Sequence, residues 1–475
     1  MSQEYRPRTP RRRKRSQFEI FKENYLPAVI ICIAFLLIVV FLIGSLATTI
    51  QRHNLAKLND GSDYDAAQKA EYDRLAAEAN RLMSEAAILA NDFEYEQAIA
   101  ILNSFSGNMQ DFPELADRRR EYASILESLV LWPDNSQVLN LSFQHLIVDP
   151  ERAFQDPTYG TSYKQNFITV DEFTRILQHL YKNGYVLISM DDIVTEEKLE
   201  SGEIRFSNKP LYLPIGKKPL IITQTQVNYY LYMTDGDNDG FPDKDGAGFA
   251  NRLLIDENGN LASELIHADG SVSTGAYDLV PILESFITTH PDFSYRGARA
   301  ILAVSGYDGL FGYRTTKAAE EFYGTVYHQE QIEQVSAVIE KLRDTGYDIA
   351  CYTYENIAYG ENDTNAIRAD LDRWSEEVMP VLGNVDTFVF AKNSDISNTG
   401  TMYSGDKFQV LMNLGFRYYL GFCETGAPWQ VLNDGYVRQG RLMVTGANIA
   451  NNPQWWNGIF DATTVLGGAR GTIPQ

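Results

Sequence analysis

From Val138 onward, short apolar runs alternate with longer stretches whose apolar residues recur every three or four positions. "VLNLSFQHLIV" (Val138–Val148), "PLIITQ" (219–224), "ARAILAVSG" (Ala298–Gly306), "GYDIACYTY" (Gly346–Tyr354), "DTFVFA" (Asp386–Ala391) and "FRYYLGFC" (Phe416–Cys423) read as strands. "TVDEFTRILQHLYKNGYVLISMDDIV" (Thr169–Val194) reads as a capped helix, a Gly184 stop and a strand. "YDLVPILESFITTH", "HQEQIEQVSAVIEKLRDT" and "AIRADLDRWSEEVMPVL" carry the helical period between strands. Strands alternating with helices predict βα units and a parallel or barrel-like sheet. The exception is Arg252–Gly275, where Asn258-Gly259 and Asp269-Gly270 mark hairpin turns and predict an inserted β-meander, with the insertion running over about 234–275.

The first third is patterned differently. No charged residue lies between Glu23 and Arg52, and Leu26–Leu46 gives 21 apolar or small residues. That length crosses a bilayer core of roughly 30 Å as a helix. The basic segment Arg6–Arg15 ahead of it is the flank that stays cytoplasmic. Residues 24–50 are therefore expected to be an uncleaved, single-pass signal anchor, the rival being a cleavable signal peptide with a shorter apolar region. Residues 1–23 become a basic cytoplasmic tail and 51–61 a polar linker. Three helices follow: Asp63–Ala90, Asn91–Phe105 with Tyr95, Ala98, Ile99 and Leu102 on one face, and Pro113–Val130. The middle stretch, "DFEYEQAIAIL", resembles a tetratricopeptide-type helical pair. Residues 62–130 are expected to form an all-α stalk, either a spacer or a docking face for a protein partner.

The chain has 475 residues with 44% hydrophobic and 22% charged content, enough for two or three domains with a sizeable core. Its net charge of −22 is uneven: residues 1–23 hold 8 Lys/Arg against 3 Glu, leaving 33 Lys/Arg against 60 Asp/Glu elsewhere. Nucleic acid is excluded as a partner by that acidic bulk. Cys351 and Cys423 are left outside the apolar span, as a disulfide or as buried thiols.

"DEFTRILQHLYKNGYVLISMDDI", the "KKPLIIT" strand and "KLRDTGYDIACYTYEN", taken in order, resemble the polysaccharide deacetylase family. "HPDFSYRGARAILAVSGYDGLFGYRT" (His290–Thr315) and "GYVRQGR" (Gly435–Arg441) look like a large Firmicutes-type branch of it. The likeness covers 139–465. It implies an α/β fold, a distorted (β/α) barrel, and a metal-dependent hydrolase that removes N- or O-acetyl groups from a polysaccharide. It also implies three motifs, and all three are altered here. Family members end the strand Thr-x-Asp-Asp, a general base followed by a metal ligand; this chain has Thr225 and Gln226 in those places. Where the family has His-(Ser/Thr)-x-x-His, Tyr352 and Asn356 replace the two imidazoles around a retained Thr353. The family's Pro-aromatic-Gly turn is Ala391-Lys392-Asn393. Zinc and its relatives need anionic or imidazole donors, which amides and a phenol do not supply. A threonine hydroxyl cannot act as general base at neutral pH. No transition metal is expected, and His145, near a strand end, is expected to be a structural hydrogen-bonder.

"TDGDNDGFPDKDG" (Thr234–Gly246) sets Asp235, Asp237, Asp239 and Asp243 at calcium-loop positions 1, 3, 5 and 9, with Gly240 at position 6. Position 12, usually a bidentate Glu, is Gly246, so calcium affinity is expected to be weak. Tyr229, Tyr230 and Trp429 are candidates for stacking on sugars. The resulting expectation is a membrane-anchored, extracellular pseudoenzyme of a Gram-positive-type envelope that binds cell-wall polysaccharide or scaffolds an envelope complex. The competing expectation is an active deacetylase with its metal relocated to Asp235, Asp237, Asp239 or Asp395.

Overall fold

The structure is a computed structural model that describes residues 66–471 and Ile473. The expected basic tail, membrane anchor and linker lie outside the described residues. Among the described residues no helix is long and apolar enough to cross a membrane. The chain divides into two units, one ending at Ser128 and the other beginning at Leu129.

The first unit is helical: α1 (Ala66–Asn91), α2 (Tyr95–Asn103) and α3 (Pro113–Glu127). Ala79, Leu82, Ala86 and Leu89 fall three and four residues apart on α1 and are all buried. Ala98 and Leu102 of α2, with Leu115 and Tyr122 of α3, complete this small core. Pro113 opens α3, where a missing N–H costs nothing.

The second unit is built on seven parallel strands: β1 (Leu139–Phe143), β2 (Lys218–Thr225), β3 (Ile301–Val304), β4 (Asp348–Cys351), β5 (Thr387–Val389), β6 (Tyr418–Phe422) and β7 (Tyr436–Met443). Each pairs with the next in sequence, and β7 returns to β1, so the sheet closes into a barrel. Arg252–Ile255, Leu261–Ile266 and Val272–Gly275 form an antiparallel meander turning at Gly259 and Gly270. Four helices alternate with the later strands: α5 (Leu279–Thr289), α6 (Thr325–Thr345), α7 (Thr364–Arg373) and α8 (Asp406–Asn413); α4 (Val170–Lys182) precedes β2.

Strand register sorts the side chains. Leu139, Leu141, Phe143, Leu220, Ile222, Leu302, Val304, Phe388 and Leu442 belong to one apolar core with Phe173, Leu177, Val338, Leu342 and Trp374 of the helical layer. The alternate residues face the barrel interior, and between β7, β1 and β2 that face is polar. Thr223 Oγ1 donates to Asn140 Oδ1 and Asn140 Nδ2 to Gln439 Oε1, both at 2.9 Å. Arg441 Nη1 donates to Ser142 Oγ at 2.9 Å. These bonds satisfy groups that water cannot reach.

The C-terminal segment is tied down by one buried ion pair. Thr169 and Glu172 form a reciprocal cap at the start of α4. The same Glu172 carboxylate accepts from Arg470 Nε at 3.0 Å, from Arg470 Nη2, and from the Gly467 N–H at 2.8 Å. Glu172→Ala removes a cap and strands a buried guanidinium. The expected loss is ~3–5 kcal/mol, read as a lower urea midpoint for the full chain; an unchanged midpoint contradicts this account of the terminal segment.

Candidate functional site

Left-handed backbone gathers where the barrel strands end. Gln226 follows β2 at φ 61°, Asp308 follows β3 at 61°, Thr353 and Asn356 follow β4 at 63° and 55°, and Lys392 and Asn393 follow β5 at 52°. Such conformations cost non-glycine residues of order 1 kcal/mol or more and cluster at functional sites. The carboxyl ends of parallel strands are also where α/β barrels place their chemistry.

Thr225 ends β2 on the interior face, beside Ala303 of β3. Its hydroxyl donates to the Phe143 carbonyl at 3.2 Å and is fully buried, so it is spent on the barrel wall. Gln226 is half-buried and bends the chain away from the strand. Tyr352 follows β4 on the same interior face, its N–H bonded to the Val304 carbonyl at 2.8 Å. Asn356 lies four residues further along the loop, with Oδ1 buried and unpartnered; Thr353 Oγ1 is likewise unpartnered. Thr225 and Tyr352 thus share the barrel interior across β3, while Gln226 and Asn356 stand on the loops beyond. None of the four offers an imidazole or a carboxylate, so the donor set does not fit a zinc-type ion.

Asp370 on α7 shapes the Tyr352–Asn356 loop. It accepts from the Tyr354 and Glu355 N–H groups at 2.7 and 2.8 Å and from the Tyr359 hydroxyl at 2.7 Å. Burial pushes its carboxyl up to about 6, against the opposing pull of the Tyr354 and Tyr359 bonds.

Ala391 is buried, while Lys392 and Asn393 are exposed and lead into Asp395. Asp395 is not a free ligand. Its Oδ1 accepts from the Tyr403 hydroxyl at 2.7 Å and from the Ser397 N–H at 3.3 Å, and its Oδ2 from Arg438 Nη2 at 2.9 Å. The Arg438 guanidinium lies 4.0 Å from the Tyr403 ring centre and 5.3 Å from that of Trp429. Trp429 donates its indole N–H to the Phe422 carbonyl at 2.8 Å. Gly440 makes room for it: a Cβ there would stand 2.2 Å from Trp429 Nε1. The result is a cleft of about 370 Å³ lined by Asn393, Asp395, Asn398, Phe422, Glu424 and Trp429, among others. Its lining is mostly polar, with amides and carboxylates beside the two aromatic residues. Thr225, Gln226, Tyr352 and Asn356 are not among its lining residues.

His145 has no free nitrogen. Its Nε2 accepts from the Tyr229 N–H at 3.1 Å, which places the proton on Nδ1, facing Asp278 Oδ2 at 3.1 Å. Asp278 also accepts from Leu146 N–H and Gln224 Nε2. Cys351 and Cys423 are buried free thiols, so no disulfide joins them.

Burial removes two of the expected sugar contacts. Tyr229 and Tyr230 are 1% and 3% exposed, Tyr229 within the core and Tyr230 bonded to Ser305 Oγ at 3.0 Å. Among the rings that do reach solvent are Tyr232, Tyr159 and Tyr307, with Tyr159 and Tyr232 centred 5.2 Å apart. Exposure of single residues after irregular turns leaves no trace in a hydrophobic pattern.

In the acidic loop, one carboxylate oxygen from each of Asp235, Asp237 and Asp239 lies within 4.8 Å of the others. Gly240 takes φ 94° at the sixth position, and Asp243 Oδ1 accepts from Gly236 N–H at 3.0 Å. Asp237 is drawn down by the Asp239 N–H, yet burial and the like charges of Asp239, Asp243 and Asp235 leave it raised. Oxygen donors crowded in this way suit a hard cation.

No protein family matches the sequence, and no curated protein matches it. Among solved structures the chain is similar to the Streptococcus pyogenes deacetylase PplD in complex with acetate, at 12% identity and a TM-score of 0.34, covering 69% of this chain and 98% of that one. A score that low carries no argument by itself. The closed ring of seven parallel strands, which rests on its own pairing, fits a deacetylase-like (β/α) barrel.

The Asp370 shift has a consequence for stability. A carboxyl whose folded value lies above its unfolded one stabilises the fold at low pH, and that contribution is lost as pH rises through the folded value. Between pH 3.8 and about 6 the Asp370 contribution therefore declines. Asp370→Asn should flatten that part of the urea-midpoint profile; a profile that keeps its slope contradicts the assignment.

Proposed function

We propose that the second unit is a non-catalytic, deacetylase-like barrel that binds an envelope glycan, held at the extracellular face of the cell membrane by residues 24–50. The observation that carries this reading is the state of the base position: the Thr225 hydroxyl is bonded into the barrel wall, and Gln226, Tyr352 and Asn356 at the other motif positions bring neither carboxylate nor imidazole. Such a set can neither activate water nor hold the ion that would. Binding chemistry is present nearby. Trp429 stands among lining residues that are mostly polar, Asn393 and Asn398 included, a mixture of an aromatic side chain and amide groups that suits a sugar. Tyr232 and Tyr307, on the segments that follow β2 and β3, and Tyr159, on the segment between β1 and α4, add exposed rings. Residues 62–130 then serve as spacer or as docking face for a protein partner.

The test incubates the full chain, in detergent micelles, with acetylated peptidoglycan and added zinc or cobalt. Retention on the pelleted polysaccharide with acetate at the blank level is the expected result. Trp429→Ala should weaken retention by about three- to tenfold, the size of a ~0.5–1.5 kcal/mol ring contact. Acetate turnover with stoichiometric metal would instead establish the relocated-metal enzyme.

A second proposal rests on the crowding of Asp235, Asp237 and Asp239: the loop takes calcium weakly, in the range of ~10⁻⁴–10⁻³ M for a site lacking its twelfth-position carboxylate. Calorimetric titration of calcium into the full chain should show one such site, weakened in Asp237→Asn. The absence of heat with the wild-type chain refutes it.

A further inference from the structure

Buried arginines in the second unit mostly meet a carboxylate. Arg299 pairs with Glu284 at 2.6 Å, Arg438 with Asp395 at 2.9 Å, and Arg470 with Glu172. Arg314 gives its terminal nitrogens to the carbonyls of Asp308 and Tyr229, under the influence of the Asp308 charge. Arg441 is different. It is 1% exposed, and its Nη1 and Nη2 donate to Ser142 Oγ at 2.9 Å and the Phe390 carbonyl at 3.0 Å. Its remaining contact is a weak one from Nη1 to Met443 Sδ at 3.8 Å, and Nε is buried without any partner. Among the described residues no carboxylate stands within ion-pair distance of it.

An uncompensated guanidinium out of water is strongly unfavourable, and arginine does not escape by losing its proton at neutral pH. Burial lowers Arg441 only to about 10. Its neighbours do not supply the missing charge. Asp395 acts on it from a distance, but both oxygens of Asp395 are engaged by Tyr403, Ser397 and Arg438. The Cys423 thiol, pushed up to about 12 by burial, stays neutral. Tyr352, also close enough to act on Arg441, contributes a phenol.

Position completes the case. Arg441 lies near the carboxyl end of β7 on the interior face, paired in register with Phe422 of β6. The Phe422 ring is centred 4.8 Å from the guanidinium, and Phe422 is also one of the residues that line the cleft. We propose that Arg441 anchors an anion site inside the barrel mouth that takes one carboxylate group. A carboxylate fits for two reasons. The guanidinium fork has unused donors matched to two oxygens, and a single negative charge balances a single cation among neutral neighbours. A doubly charged phosphate would leave net charge buried. The site takes the carboxylate of a free small acid or of an acidic sugar, and it stands independently of the glycan reading of the cleft.

Acetate and glucuronate are titrated separately into the full chain against chloride at matched ionic strength, followed by thermal unfolding and by line broadening of ¹³C-labelled acid. Saturable broadening with a raised midpoint is the expected result. A response to both acids indicates a small-acid ligand, and a response to glucuronate alone indicates a glycan carboxylate. Arg441→Met exchanges a buried charge for an apolar chain of similar length, so it should fold at least as stably without acid and lose the response. Arg441→Lys keeps the charge without the fork and should bind about tenfold more weakly or worse. No saturable response in the wild type, a response retained in Arg441→Met, or wild-type affinity in Arg441→Lys each overturns the proposal. If Arg441→Met fails to fold, the wild type and Arg441→Lys decide it.

Discussion

A sheet that closes on itself must fill its own centre, and this barrel fills part of it with hydrogen-bonded polar groups. Asn140 and Ser142 on β1 and Thr223 on β2 meet Gln439 and Arg441 from β7 across the line where the barrel closes. Each bond compensates for water lost on burial, and removing one partner leaves the other unsatisfied at about 1–3 kcal/mol. The network fixes how β7 returns to β1. That in turn sets which residues the strand ends present, because register decides the face of every side chain.

At the ends so presented, reactive groups are spent on structure. Thr225 bonds the wall, His145 is held between Tyr229 and Asp278, and Asp395 is locked into Arg438 and Tyr403. Left-handed backbone is found there at Gln226, Thr353, Asn356, Lys392 and Asn393, none of which carries an imidazole or a carboxylate. Two features of the β6–β7 pair bear on ligand binding: the cleft beside Trp429 and the buried cation beside Phe422. They lie on opposite faces of the β6–β7 pair, since Gly440 beneath Trp429 alternates with Arg441.

Much of the fold was legible along the chain. The runs around Ile222, Leu302, Ile349 and Phe388 are apolar on the face that meets the helices, and the Gly259 and Gly270 turns mark the meander directly. β7 was the strand that pattern missed, because Arg438, Gln439 and Arg441 break its apolar run. Their hydrogen-bond partners are Asp395, Asn140 and Ser142, tens or hundreds of residues away. The burial of Tyr229 and Tyr230, against the exposure of Tyr232, depends on a turn at Tyr229 with φ 54° that composition does not announce. Likewise, the partners that occupy Asp395 (Tyr403 and Arg438) come from tertiary contacts that a lone carboxylate in the sequence does not announce. The altered residues at 225, 226, 352 and 356 were visible at once, since their chemistry depends on residue type alone.

The central claim is that the barrel mouth recognises a ligand without a catalytic transition metal. The most direct measurement is elemental analysis of the full chain after dialysis against excess zinc and then against metal-free buffer. The account predicts zinc well below one equivalent, unchanged in Asn356→Ala. One tightly held equivalent that disappears in Asn356→Ala would contradict it.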